Sequence, residues 1–274
     1  MALTTTVISV ERYEKVRSVL KDLWDHRELF WTFFQREIKV HYKQTTLGVT
    51  WVVLQPLLAT GAFALIFGRI ARMPTDGLPV SLFYLSAMVA WNTFASALTR
   101  SALSMETNAD LITKVYFPRV ILPGAIVLGS LLDYLIGWTL LNFAAAWMGH
   151  WHWQLVAMTP ILMAIQGATA LGIGSVLAMI NAQYRDVKHA VGFFVYFFML
   201  ATPVIYPATR LPAWIQDWLF LNPMASVVTT YRVCLQNGPM NWPEIGLSVL
   251  MASIYLVAGV WFVRKRELLL ADTL

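Results

Sequence analysis

Six apolar runs, 48–67, 80–99, 120–148, 155–180, 190–206 and 245–263, constrain this chain more than any other feature. Each falls within or beyond the roughly 17–25 residues that carry an α-helix across about 30 Å of hydrocarbon. A bilayer offers backbone groups no water, so a spanning run of this kind folds as a helix whose hydrogen bonds close within itself. The predicted fold is an all-α membrane protein with six transmembrane helices. Composition agrees: 58% of the 274 residues are hydrophobic and 13% charged, where a soluble domain carries about a quarter charged residues. A disordered chain and an ordinary soluble enzyme are excluded, and a single cysteine, Cys234, excludes an intramolecular disulfide framework.

The net charge of +5 would suit nucleic acid, but the positions of the charges argue otherwise. With the N-terminus inside, the basic residues before 48, in 100–119, in 181–189 and after 263 all face the cytoplasm. Only Arg69, Arg72, Arg210 and Arg232 lie outside. The positive-inside rule selects this orientation, so the basic excess sets topology and no nucleic acid is expected. The chain is expected to be multi-pass with both termini cytoplasmic, and its first residues, lacking an apolar h-region and a cleavage site, are not expected to be a signal peptide. Residues 1–47 form a cytoplasmic N-terminus and 48–274 the six-span unit. Within the latter, 207–243 holds two shorter runs, 213–221 and 224–235, parted by Asn222-Pro223. As helices they reach about 13 and 18 Å, too short to cross. Joining them into one span would bury Asp217 and Arg232, so two short re-entrant helices on the outer face are predicted. Tyr206, Trp214, Trp218, Tyr231 and Trp242 suit that interfacial depth, as do Trp151 and Trp153.

Two polar segments on the inner side attract attention. On a helical wheel Glu28, Thr32, Gln35, Arg36, Lys39 and Lys43 share an arc about 100° wide, with Trp31, Phe34 and other apolar residues on the remainder. This predicts an amphipathic helix lying along the cytoplasmic interface before Gly48 turns the chain into the first span. Glu37 and His41 fall in the apolar arc at i, i+4 spacing, which suits a protein surface better than lipid. The second segment, 100–119, carries Thr107-Asn108-Ala109-Asp110, a capping-box pattern, followed by Leu111, Ile112 and Val115. Pro118 then ends the helix. Such an element either transmits motion from a soluble partner or is a passive connector.

Asp133 is the one acid in the middle of a run, which makes it a functional candidate by default. Ala125, Gly129 and Gly137 share its face, a small-residue stripe that lets another helix approach. A hydrogen bond to an Asn or Tyr on that neighbour competes with a transport role. Ala170, Gly174 and Ala178 form a second such stripe. The fifth run carries Phe193, Phe194, Tyr196, Phe197 and Phe198, rings that serve helix packing, lipid contact or the apolar faces of sugars. No P-loop occurs, so no ATP site is expected on this chain. His150-Trp151-His152 has no third ligand, no metal site is predicted, and no cluster of carboxylates or nucleophile with its base suggests catalysis.

The run from Arg36 to Lys43, continuing through Gln44-Thr45-Thr46-Leu47-Gly48 to Trp51, Gln55 and Pro56, resembles the approach to the first span of type-2 ABC transporter permeases. Asn108 to Lys114, continuing through Val115-Tyr116-Phe117-Pro118-Arg119, is similar to that family's loop between spans two and three. Tyr184-Arg185-Asp186 and Leu221-Asn222-Pro223-Met224 resemble two further family segments, and the polysaccharide and O-antigen exporter branch is the most similar. The resemblance implies a bacterial inner-membrane homodimer of permeases with two copies of a separate ABC ATPase, which would bind the ATP and Mg. It places the family's coupling helix at 107–116, with Thr107, Asn108, Asp110, Leu111, Lys114 and Tyr116 meeting the ATPase. It places the gate or interface helix at 28–43, with Trp31, Phe34, Arg36, Glu37, Lys39 and His41. A polyprenyl-linked glycan would pass Phe193, Phe194, Tyr196, Phe197, Phe198 and Asp133. A capsule, teichoic acid or small-molecule exporter is the alternative, and a membrane enzyme acting on polyprenyl phosphates a more distant one.

Overall fold

A computed structural model describes residues 21–22, 24–43, 49–184 and 186–270, and among them there is helix and no strand. The elements are α1 (Arg27–Lys43), α2 (Val49–Phe63), α3 (Val80–Thr107), α4 (Ala109–Lys114), α5 (Ile121–Trp147), α6 (Trp153–Gln183), α7 (Val187–Ala201), α8 (Ala213–Leu219), α9 (Pro223–Leu235) and α10 (Trp242–Leu270). A π-helical turn, Ala64–Ile70, prolongs α2. Residues 44–48, including Gly48, and Arg185 lie outside the described residues.

The core is built on α3, which packs against α5 and α6, while α6 also packs along α10. Close approach is allowed by residues that bring no side chain. A Cβ on Gly137 would lie 3.0 Å from Val89, one on Gly174 would lie 2.7 Å from Ser101, and Gly172 of α6 meets Gly259 of α10 backbone to backbone. Both small-residue stripes therefore face protein. The Gly172–Gly259 contact had no counterpart in the sequence reading, because two lone glycines on different helices carry no shared periodicity.

Five helices are long and apolar enough to cross a membrane: Thr50–Ile70, Val80–Thr107, Ile121–Trp147, Trp153–Gln183 and Trp242–Glu267. The expected sixth, 190–206, is shorter. Its helix ends at Ala201, and the chain turns through Thr202–Tyr206. Pro203, which has no N–H to give, marks the break. The carbonyls freed there are taken by Arg232, which donates to Pro203 (2.7 Å), Val204 (2.9 Å) and Tyr206 (3.3 Å) and lies 3.5 Å over the Phe83 ring. Arg232 is thus buried, contrary to the expectation that burial was to be avoided. Backbone carbonyls and an aromatic face replace its water.

The contacts gather at two ends. One end brings together the α2–α3 loop, the 205–222 segment and the end of α9, through Thr209 to Asp76, Gln236 to Asp76 and His150 to Leu235. The other joins Lys188 to Glu106, Asn181 to Glu106 and Arg264 to Asp22.

Candidate functional site

At the second end, α4 projects as a six-residue helix between α3 and α5. The capping box predicted at its start does not form. Thr107 is the last residue of α3, and Asn108 donates its side-chain amide to Ser104 O (2.7 Å), closing the preceding helix instead. The helix is accordingly 109–114 rather than 107–116, and Val115 leaves it in extended conformation. Its other end is tied down by Arg119, whose guanidinium donates to the carbonyls of Ile112 (3.0 Å) and Val115 (3.3 Å) and stacks 4.9 Å from the Phe117 ring. Burial lowers the affinity of that guanidinium for its proton, and the neighbouring charge of Glu267 opposes the shift. Ile112 anchors the element in a small core with Phe117 and Met105. Thr107, Asp110, Lys114 and Tyr116 are left exposed, with Asn108 and Leu111 half-buried. The exposed set forms a short polar knob on a buried base.

Beside it, α1 packs on the stripe of α5 identified from the sequence. Phe30 meets Gly124, Glu37 meets Gly129, and His41 and Tyr42 meet Asp133, so the two helices run in the same direction. Tyr42 donates to Asp133 Oδ1, His41 Nε2 lies 3.2 Å from Oδ2, and Arg100 of α3 pairs with Glu37 while standing 3.9 Å from Asp133. Burial first, and then the hydrogen bond and charge of Asp133, raise the Tyr42 phenol above its ordinary range, which keeps its hydroxyl a donor. Glu37 and His41 thus do face protein, and the hydrogen-bond partner of Asp133 is a tyrosine. Trp31, Arg36 and Lys39 remain exposed, and Phe34 is buried with its ring 4.9 Å from Trp31. Arg100, counted from the sequence as a loop charge, is a central member of this network. Its position at the end of the 80–99 run was the available signal.

The aromatics of α7 divide in two. Phe198 turns inward against Phe94 (5.5 Å) and Trp91 (6.1 Å). Phe193, Tyr196 and Phe197 are 70%, 56% and 64% exposed, and Phe194 39%. Asp133 is not brought to them, since its polar partners come from α1 and α3. Among the described residues no group of three metal-ligating side chains exists. At the opposite end from α4 lies a cavity of about 600 Å³, between the α2–α3 loop, the 207–220 segment, α9 and α10. Asp76, Arg232 and Glu244 line it, and none was a candidate from the sequence.

Comparison with known proteins places these features. Residues 28–235 match the family described as ABC-2 type transporter. The chain is 28% identical over 257 residues to the O-antigen export system permease protein RfbA of Myxococcus xanthus, covering 91% of this chain and 96% of that protein. It is 26% identical over 244 residues to the O-antigen export system permease protein RfbA of Klebsiella pneumoniae, covering 87% and 92%.

Proposed function

The chain belongs to the ABC-2 type transporter family, and from that premise we propose that it is the membrane permease subunit of an exporter that moves lipid-linked O-antigen polysaccharide across the bacterial inner membrane. It is a transport subunit rather than an enzyme, and an ABC ATPase is its partner. The observation that carries the substrate is the nearly end-to-end similarity to O-antigen export permeases, 96% of one such protein being covered. In this reading two permease copies form the conduit, two ATPase copies bind ATP and Mg, and both termini are cytoplasmic.

Helix lengths support a position for the bilayer. Thr50–Ile70 has 21 residues, or about 31 Å, close to the hydrocarbon thickness. The helices α3, α5 and α6 have 28, 27 and 31 residues and reach 40 Å or more, so about 10 Å or more of each protrudes. Matching the start of α2 to the inner interface puts the protruding ends in the cytoplasm, with α1 alongside the first half of α5. Asp133, about 18 Å along α5, then lies near the inner interface rather than in mid-membrane. The family's gate helix corresponds to α1, its coupling helix to α4, and α8 and α9 are the short outer helices. At about 22 Å, α7 is a short sixth span whose crossing is completed by the turn at Pro203.

The mechanism follows from stiffness. ATP binding in the partner would displace α4, and Arg119 and Ile112 would carry the push into the bundle without slack. The Glu37–Arg100 and His41–Asp133 links would hold α1 to α3 and α5 so that gate and bundle move together. Replacing Asp110 with lysine reverses the charge at that position, making a neutral knob doubly positive, while leaving Ile112 and Arg119 in place. Asp110→Lys is expected to abolish surface polysaccharide, read by gel of cell-surface glycan, with the permease still in the membrane. Normal surface polysaccharide in that strain would sink the docking assignment, and normal polysaccharide in a deletion strain would sink the export reading.

A further inference from the structure

One wall of the outer cavity is a tight turn fixed by side chains from other segments. Asp76 is a non-glycine residue in the left-handed region (φ 50°) followed by Gly77 (φ 86°). Asp-Gly is a favoured pair for a tight turn of this hand, and Leu78 N–H closes it on Thr75 O (3.0 Å). Here the Thr209 hydroxyl donates to the Asp76 carboxylate (3.0 Å), the Gln236 amide donates to the Asp76 carbonyl, and Thr75 donates to Leu78 O (2.6 Å). A wall fixed in this way keeps its shape whether or not anything fills the space.

The polar groups left over are mostly acceptors. Gln236 and Gln216 both commit amide N–H to backbone carbonyls, the latter to Leu211 O at 2.6 Å, which leaves their side-chain carbonyl oxygens free to accept. Glu244, half-buried at the rim, has no hydrogen-bond or ion-pair partner among the described residues. Behind them the lining is apolar, from Leu219, Phe220 and Leu247. Arg232 is present but turned to carbonyls and the Phe83 ring, with its Nε unpartnered. A volume of about 600 Å³ is ample for a sugar unit.

We propose that this cavity is a subsite for an uncharged hexopyranose unit of the exported glycan, engaged on the outer side after it leaves the conduit. A pyranose ring presents several hydroxyl donors around an apolar C–H face, the complement of acceptors set over an apolar floor. Two carboxylates against one guanidinium, itself committed to backbone carbonyls, leave the space net negative, so the subsite discriminates neutral hexoses from uronic acids. The inference rests on the export reading and on the orientation that places this end outside.

The test is saturation-transfer NMR on the full permease with its ATPase in nanodiscs. The probes are methyl pyranosides of glucose, galactose and mannose, methyl glucuronide, and phosphoethanolamine. At least one neutral hexoside is expected to give a signal that falls threefold or more in Glu244→Ala and stays unchanged in Thr139→Ala, an exposed residue of α5 outside the cavity lining. Methyl glucuronide is expected to give a third of that signal or less, and to gain in the size-conserving variant Glu244→Gln. No Glu244-dependent hexoside signal, or a glucuronide signal equal to it, overturns the subsite. A Glu244-dependent phosphoethanolamine signal without a hexoside one assigns the pocket to a lipid headgroup and also overturns it. Surface polysaccharide in the deletion strain separates the two claims. Its loss there without hexoside binding removes the subsite alone, whereas its persistence removes the export reading.

Discussion

Two charged residues in apolar sequence, Asp133 and Arg232, solve the same physical problem in different ways. Asp133 assembles a tyrosine, a histidine and an arginine around one carboxylate, while Arg232 saturates a broken helix end. Removing either partner from such an arrangement leaves a buried polar group unpaired, at about 1–3 kcal/mol and more for a charge. Arg232→Met is therefore expected to lower stability by roughly 3 kcal/mol, read as a fall in the unfolding temperature of purified permease. Arg232→Lys is expected to recover only part of this, because one ammonium on a single stem does not fork to three carbonyls. An unchanged transition in the methionine variant would show that the carbonyls find other donors. Sequence reasoning singled out Asp133, because an acid among apolar residues announces itself, and offered Asn or Tyr as its partner, but it did not foresee His41 or Arg100. It treated Arg232 as a reason against burial, because the carbonyls that satisfy it become free only where Pro203 breaks a different helix.

At the level of helices, composition located every long element but not their ends. The 190–206 run was uniformly apolar and hid a helix that stops at Ala201, and Thr107-Asn108-Ala109-Asp110 looked like a helix start although Asn108 serves the helix before it. The second error arises because Asn108 suits either neighbouring helix, whereas the first passed over Pro203, a local stop signal inside an apolar run. Glycines give a direct test of the packing found instead. A Cβ on Gly259 would land on the Gly172 carbonyl, and backbone cannot step aside as a side chain does. Gly259→Ala is expected to destabilise the α6–α10 pair by about 1–3 kcal/mol, seen as a lower unfolding temperature and reduced membrane yield. Gly192→Ala, on α7 with open space around it, is expected to be neutral or to stabilise by up to about 1 kcal/mol. Equal behaviour of the two variants would mean that α6 and α10 do not approach as closely as described.

For the molecule as a whole, the informative contrast is between faces. α3 is mostly buried, whereas the exposed side of α7 presents Phe193, Tyr196 and Phe197. A membrane protein has two uses for such a face, lipid or another protein copy, and a conduit between copies adds a third, the glycan. These uses place different demands on the side chain. Lipid asks for apolarity alone, helix packing for volume, and a sugar for a flat ring. Leucine keeps the first and most of the second while removing the third. Phe193 and Phe197 are four residues apart and so share one face of α7. Phe193→Leu with Phe197→Leu is therefore expected to cut surface polysaccharide severalfold while membrane level, unfolding temperature and ATPase association stay unchanged. Phe198→Leu serves as the opposite control. Its ring packs on Phe94 and Trp91, so it should lower the unfolding temperature through lost packing. If the double leucine variant exports normally, the rings face lipid or another protein, and the glycan does not run along this face of the bundle.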